Sequence, residues 1–224
     1  MLSYLNLLRT NYQLWKKIKA LKTPLYKGMI SSSTYLKYPK HWDFGGAKVL
    51  NFGSGLTTYP AKNVTNLDCT EGENVTVVPP TQIELPFETN TFDLVIANHV
   101  IEHLPYWFET MQELARVVKV GGVIEVWVPP ISSDSSFSYR DHLNRIGQES
   151  FAGCRTNRRP GSNLLAVKEF SSMSEFSKLM LVDLRTRPIV TWWTMIAPDC
   201  VMQWMAAHLR NVISEEGYIF IKGE

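Results

Sequence analysis

The residues in this chain with the plainest chemistry are two glycines and an aspartate. Val49-Leu-Asn-Phe-Gly-Ser-Gly55 reads as a β-strand ending in a tight glycine turn, and Asp68 follows thirteen residues after Gly55. Glycine lets the backbone approach a ligand closely because no Cβ intervenes. A carboxylate at the tip of the next strand can accept hydrogen bonds from a ribose diol. Together they describe a nucleoside site. A dinucleotide fingerprint needs about 20 residues before its acidic residue and a third glycine. Neither is present, which excludes NAD and leaves other nucleosides open. A second set of residues could move a proton: His99, Glu102, His103 and the adjacent pair Asp141-His142. An Asp orienting a His is familiar base chemistry, but sequence neighbours rarely point the same way, so separate substrate contacts are the alternative. Arg145, Arg155, Arg158 and Arg159 are suited to gripping an anionic acceptor or to a solvated face. Tyr139 could stack on a sugar ring. None of these groups has the spacing of a known metal motif. No metal is therefore expected, although His99, His103, Asp141 and His142 are the residues from which a site could be made.

The elements that must position these groups follow from pattern. Ala47 to Phe52 reads as the first strand and Asn66 to Asp68 as the end of a second. The stretch from Leu56 to Asn63 between them is too short and too Pro-broken for a long crossover helix. Phe92-Asp-Leu-Val-Ile-Ala-Asn98 is a continuous apolar run, as in a parallel strand buried on both faces. Tyr106 to Val118 places Phe108, Met111, Leu114, Ala115 and Val118 on one helical face. Gly121-Gly122 should stop that helix, and Val123 to Val128 is the next strand. Residues 131–168 are rich in Ser, Asn, Arg and Gly, and read as an insertion over the strand ends, in effect a lid. Glu169 to Leu181 reads as a helix, and Leu184 to Thr191 and Tyr218 to Lys222 as the last strands. Alternating strands and helices imply an α/β fold with a largely parallel sheet.

Composition narrows the function classes. The chain has 224 residues and a formal net charge of +2. It fits one domain, 1–224, with an N-terminal helical extension over 1–43 that ends in a polar connector from Ser31 to Asp43. Near-neutral charge argues against a general nucleic-acid binder. Cys69, Cys154 and Cys200 form no CxxC pair, which suits a reducing compartment. Met1 to Tyr26 has no secretory pattern, because Arg9, Lys16, Lys17 and Lys19 interrupt its apolar residues. It reads as a helix over the core or as a basic amphipathic helix for a membrane surface or partner enzyme. No segment reads as a transmembrane span, since Pro198 and Asp199 break the most apolar run. A cytoplasmic location is expected, and the Trp-rich C-terminal region allows a homodimer.

Six motifs then fall in order: strand–GxG, strand–Asp, Leu85-Pro-Phe87, Phe92-Asp-Leu-Val95, Glu102-His-Leu104 and Arg116-Val-Val-Lys-Val-Gly-Gly122. This order resembles the class I S-adenosylmethionine-dependent methyltransferases. It is most similar to their small type 11-like branch, associated with cell-surface glycan biosynthesis. The resemblance spans residues 47–130 by motif and 131–224 by architecture. It implies a Rossmann-like sheet, mostly parallel with an antiparallel last strand and helices on both faces. It implies S-adenosylmethionine as cofactor and S-adenosylhomocysteine as product. Gly53, Ser54 and Gly55 would line the methionine part, and Asn51 would be a cofactor-binding residue that also hydrogen-bonds the loop. Asp68 would bind the ribose hydroxyls, Gln82 and Ile83 would flank the adenine, and Asn98 and His99 would sit beside the sulfonium and the acceptor. His103 would be a further cofactor-binding residue, with packing of the following helix onto the cofactor loop as the alternative. Ser54 and Asn51 stand where the family usually has a Cys-like and an acidic residue. Thr81 stands where it often has an Asp next to the adenine.

The resemblance implies methylation of a sugar hydroxyl in a surface glycan or its precursor. An alcohol releases its proton reluctantly, so a base should contribute roughly 10²–10⁴-fold; His99, His142 and Asp141 are the catalytic candidates. Tyr139, Arg145, Arg155 and Arg158 are the acceptor-binding candidates. The same core permits methylation of a phenol, quinone or lipid. It also permits a catalytically silent cofactor-binding scaffold in a glycan-assembly complex, in contact with a glycosyltransferase.

Overall fold

The computed structural model describes Tyr38 and residues 40–42, 44–79, 82–151, 154–156, 176–188, 201, 204, 209 and 213–223. The expected N-terminal helix, Thr81, Arg158 and Arg159 lie outside the described residues. So do the start of the helix expected from Glu169 and Asp199-Cys200.

The described residues form one eight-stranded sheet in the order β3-β2-β1-β4-β5-β8-β7-β6. The strands are β1 (Val49–Phe52), β2 (Val64–Asp68), β3 (Val75–Val77), β4 (Phe92–Asn98), β5 (Val118–Val128), β6 (Arg155–Thr156), β7 (Leu179–Pro188) and β8 (Ile213–Lys222). The first five run parallel. Only β8 is antiparallel to its neighbours, lying between β5 and β7. The mostly parallel, Rossmann-like sheet with an antiparallel last strand is therefore the one expected. The longest described helix, α1 (Trp107–Val117), follows a short turn of 3-10 helix at Ile101–His103. A second, four-residue helix, α2 (Ser135–Ser138), lies in the segment after β5.

Strand side chains alternate between two apolar layers, as a two-residue period requires. Leu50, Phe52, Val95, Ala97, Ile124 and Val126 share one cluster with Met111 and Leu114 of α1. Val49, Leu94, Ile96, Val123 and Ile219 face the other, where Tyr38, Phe44 and Tyr59 cover them. A continuous apolar run such as Phe92–Asn98 has to be buried on both sides, and it is. Because Leu114 is fully buried, Leu114→Ala should lower stability by about 2–5 kcal/mol.

Three sequence expectations need correction. Tyr38, assigned to a polar connector, is 2% exposed and donates its hydroxyl to Glu125 Oε1 at 2.7 Å. The connector therefore ends inside the core. The helix expected up to Leu181 has already given way to strand: Phe176–Lys178 is one 3-10 turn, and β7 starts at Leu179 opposite Lys222. Leu179 is fully buried, so pairing and burial override its helical propensity. Gly121-Gly122 does not separate helix from strand. Strand geometry begins at Val118 opposite Phe92, and residues 119–122 bulge out before Val123 pairs with Leu94. A Cβ on Gly122 would lie 2.8 Å from the Lys119 carbonyl oxygen, which explains the glycine there.

Candidate functional site

The connection from β1 to β2 contains no helix. A parallel pair is normally bridged by one, so something else must hold this loop. Two buried amides do so. Asn51 Nδ2 donates to Thr57 O at 3.0 Å and to Asn66 Oδ1 at 2.9 Å. Asn66 in turn accepts from Tyr59 N at 3.0 Å and donates to Tyr59 O at 2.8 Å. Asn51 thus supports the loop rather than facing a ligand. The Asn66 part of this staple was not foreseen. Its only sequence signal is a polar residue in the middle of a short strand.

The glycine turn is a close approach in fact. Gly53 has φ +66, and a Cβ there would lie 2.3 Å from Val100 Cγ2. Any side chain would push Val100 and the turn after β4 away from β1. Gly55, at φ +49, donates its N–H to Asp68 Oδ2 at 2.7 Å, and Thr70 N donates to Asp68 Oδ1 at 2.9 Å. Each carboxylate oxygen can accept a second hydrogen bond. Asp68 is therefore pinned in place with acceptor capacity to spare. Ser54 Oγ is buried and has no partner within the described residues.

Beside this turn lies a cleft with about 540 Å³ of empty space, open solvent included. Gly53, Asp68, Gln82, Ile83, Val100 and Tyr106 are among its walls. The apolar walls match an adenine and the Asp68 carboxylate a ribose, so the residues present fit S-adenosylmethionine. Val100 was missed from sequence; the close packing required at Gly53 is what exposes its role. Gln82 and Ile83 lie on the loop before Leu85-Pro-Phe87, which α1 holds in place. Leu85 N donates to Glu113 Oε1 at 2.7 Å, and Arg116 Nη2 donates to the Phe87 carbonyl at 2.9 Å.

At the end of β4 a second group assembles. Asn98 pairs with Trp127 across the sheet. His99 has φ +52, uncommon for a residue with a side chain, and its N–H reaches the Trp127 carbonyl at 2.8 Å. This left-handed step turns the chain into the 3-10 turn. The His99 ring is then held between two carboxylates, Nδ1 3.0 Å from Glu102 Oε1 and Nε2 3.0 Å from Glu215 Oε1. The side chains of Glu102 and Glu215 are 2% and 7% exposed, and that of His99 is 20% exposed. Burial, the largest single influence, would lower the His99 pKa. Hydrogen bonds to Glu102 and Glu215 and the charges of both outweigh it, so the ring is held above its ordinary value. Both ring nitrogens are engaged, so His99 does not present the free lone pair expected of a resting base. Glu215, from the antiparallel β8, was missed entirely; no local pattern links it to His99.

The other sequence candidates divide. His103 does not join the cleft walls; its Nδ1 lies 3.0 Å from the Asp141 carbonyl oxygen, and its ring packs edge-on to His142 at 4.7 Å. Tyr139 stacks obliquely near His142 at 5.1 Å. Asp141 and His142 thus meet His103 of the turn after β4, and Tyr139 packs behind His142. Asn144 reinforces this by donating its Nδ2 to the Leu104 carbonyl at 2.6 Å. Asp141 and His142 do not form a base pair with each other: the nearest partner of Asp141 is His103. Arg145 lies over the Phe137 ring at 4.2 Å. Arg155 is not brought to the site. It sits in β6 at the far edge, four strand positions from β4, or about 19 Å at ~4.8 Å per strand.

Comparisons with known proteins agree with this geometry. Residues 52–126 match the family model described as a methyltransferase domain. Demethylmenaquinone methyltransferases of Staphylococcus aureus are 32% identical over 77 residues, covering 29% of this chain. The chain spans about a third of the length of these curated relatives, 32%. A SAM-dependent methyltransferase structure from Archaeoglobus fulgidus superposes with a TM-score of 0.50 at 13% identity, covering 96% of this chain and 94% of the other. One from Mesorhizobium loti gives 0.51 at 9% identity, covering 82% and 94%. At such identities the two structures speak for the fold. Among the described residues, no helix is long and apolar enough to cross a membrane. The matched stretch, the sheet order and the Gly53–Asp68 cleft agree: residues 52–126 are similar to a methyltransferase domain, on a fold shared with S-adenosylmethionine-dependent methyltransferases.

Proposed function

We propose that this protein is an O-methyltransferase acting on a sugar hydroxyl in a surface glycan or its precursor. The observation that carries this reading is the Glu102–His99–Glu215 array at the strand-end rim, beside the cofactor cleft. Gly53, Gly55 and Asp68 would hold S-adenosylmethionine, whose sulfonium supplies an activated methyl group. The chain must then align the acceptor, exclude water and take a proton. An alcohol acceptor needs the last of these most. His99, engaged at both nitrogens, orients the carboxylates, and Glu215 would receive the hydroxyl proton as the acceptor oxygen takes the methyl, the C–S bond breaking as the C–O bond forms and S-adenosylhomocysteine leaving. Buried carboxylates also accept hydrogen bonds from neighbouring hydroxyls of a polyol. Tyr139, 59% exposed, offers a face to a sugar ring. The substrate is met in the cytoplasm, and the lysine-bearing N-terminal stretch would dock on a membrane surface or a glycosyltransferase.

A second reading has its own support. The curated relatives act, by name, on demethylmenaquinone, and Ile83 and Tyr106 are exposed apolar residues of the cleft wall. A quinol or phenol would suit such a rim. Transfer of labelled methyl from S-adenosylmethionine to a panel of monosaccharides, sugar nucleotides and glycans, against phenols and quinols, separates the two. Sugar products alone support the first reading, and products from phenols or quinols alone overturn it. Tight S-adenosylhomocysteine binding without any transfer would mark a silent scaffold.

A further inference from the structure

Where the segment after β5 meets the turn after β4, Glu102, His103 and His142 each bring one ligand-type atom, all within 4.8 Å of one another. Other contacts set the orientation of each. Glu102 Oε1 is tied to His99, while its Oε2 is buried and has no hydrogen-bond partner among the described residues. Glu102 is 1% exposed, and a buried carboxylate oxygen without a partner is costly. The Asp141 carbonyl can only accept, so the His103 Nδ1 facing it carries the proton and Nε2 keeps the lone pair. An N–H donated to a carbonyl is the usual outer partner of a metal-ligating imidazole. His142 Nδ1 is likewise buried without a partner among the described residues. Among the described residues, the trio thus holds two orphaned polar atoms and a lone pair of fixed tautomer.

We propose that Glu102, His103 and His142 bind a divalent transition-metal ion of the zinc type. Two imidazoles and one carboxylate suit zinc or its transition-metal neighbours, whereas magnesium and calcium prefer six or more oxygens. With metal–ligand bonds of about 2.0–2.1 Å, tetrahedral ligand atoms lie roughly 3.3 Å apart. No pair in the cluster therefore has to close by more than about 1.5 Å on binding. Three protein ligands leave a fourth position open. An acceptor hydroxyl bound there would be acidified. That role rests on the methyl-transfer reading; binding of the ion does not. No sequence motif marks the site, because its ligands come from two separate segments.

The test uses untagged full-length protein, stripped with a chelator and titrated with zinc chloride against a chromophoric competitor. One ion per chain is expected. His142→Ala and Glu102→Gln should each weaken zinc at least ~100-fold. S-adenosylhomocysteine affinity of His142→Ala, by calorimetry, should stay within about twofold of wild type, which shows that the fold and cofactor site survive. Cobalt substitution should give tetrahedral visible absorption that His142→Ala abolishes. Absence of stoichiometric zinc, or wild-type affinity in His142→Ala, overturns the site. Zinc binding without transfer to any hydroxyl leaves the site standing and defeats the sugar reading. Transfer that is unchanged after chelation leaves the enzyme reading standing and overturns the ion's part in the reaction.

Discussion

The proposed cofactor side and the proposed acceptor side of this rim are built in different ways. On the cofactor side, Asn51, Gly53, Gly55, Asn66 and Asp68 lie within one β1–loop–β2 unit, and their bonds join residues no more than 15 positions apart. The decisive features are backbone features: two glycines at positive φ and a carboxylate pinned by two N–H groups. On the acceptor side, His99 is clamped by Glu215 from a strand 116 residues away. Asn144 and His142 arrive from the segment after β5. Local conformation assembles the donor half, and sheet topology assembles the acceptor half.

That contrast can be broken by experiment, and the largest effect should be on chemistry. Glu215→Gln should lower methyl transfer to a hydroxyl acceptor by about 10²–10⁴-fold, while S-adenosylhomocysteine affinity stays close to wild type. Steady-state rates and calorimetry on the same preparation check this. Equal losses in both would mean that the two halves are one unit. Asp68→Ala should do the reverse and weaken S-adenosylhomocysteine by about 100-fold. This is the ~3 kcal/mol expected for losing charge-assisted bonds to two hydroxyls. Undiminished binding would remove Asp68 from the ribose.

Two smaller effects sharpen the account of the donor half. Gly53→Ala should weaken S-adenosylhomocysteine by roughly tenfold, through positive φ and contact with Val100. Adding Val100→Ala should recover only part of that loss, because it relieves the contact and not the backbone strain. Full recovery in the double variant would show that φ is unimportant. Asn51→Ala should cost about 1–3 kcal/mol in denaturant unfolding, the price of leaving Asn66 and the Thr57 carbonyl short of a partner. A stability loss below ~0.5 kcal/mol would mean that the amide staple does not hold the loop.

The first five parallel strands were mostly legible in the sequence; β3 was not foreseen. Buried parallel strands are continuous apolar runs, and turns need glycine or proline, so Phe92–Asn98 and the glycine turn announce themselves. The missing crossover helix was legible for the same reason, since Pro60 and the short spacing forbid it. The later strands were read less well. Residues 179–181 carry helix-compatible side chains, and only pairing with β8 makes them strand. Arg155 looked like an acceptor ligand because charge is visible in sequence, whereas its place at the sheet edge is not.

By itself, then, the sequence pointed to a nucleoside cofactor other than NAD, and to a glycine turn and Asp68 as the residues that would hold it. Backbone freedom at Gly53 and a carboxylate at a strand tip are properties of a short segment. Only the tertiary structure decided that His99 stands between Glu102 and Glu215, that His103 turns toward Asp141 and His142, and that Arg155 is remote. Those facts depend on an antiparallel strand entering beside β5 and on a later segment folding back over β4. No local pattern encodes the meeting of residues that far apart, because it is fixed by burial and pairing across the whole sheet.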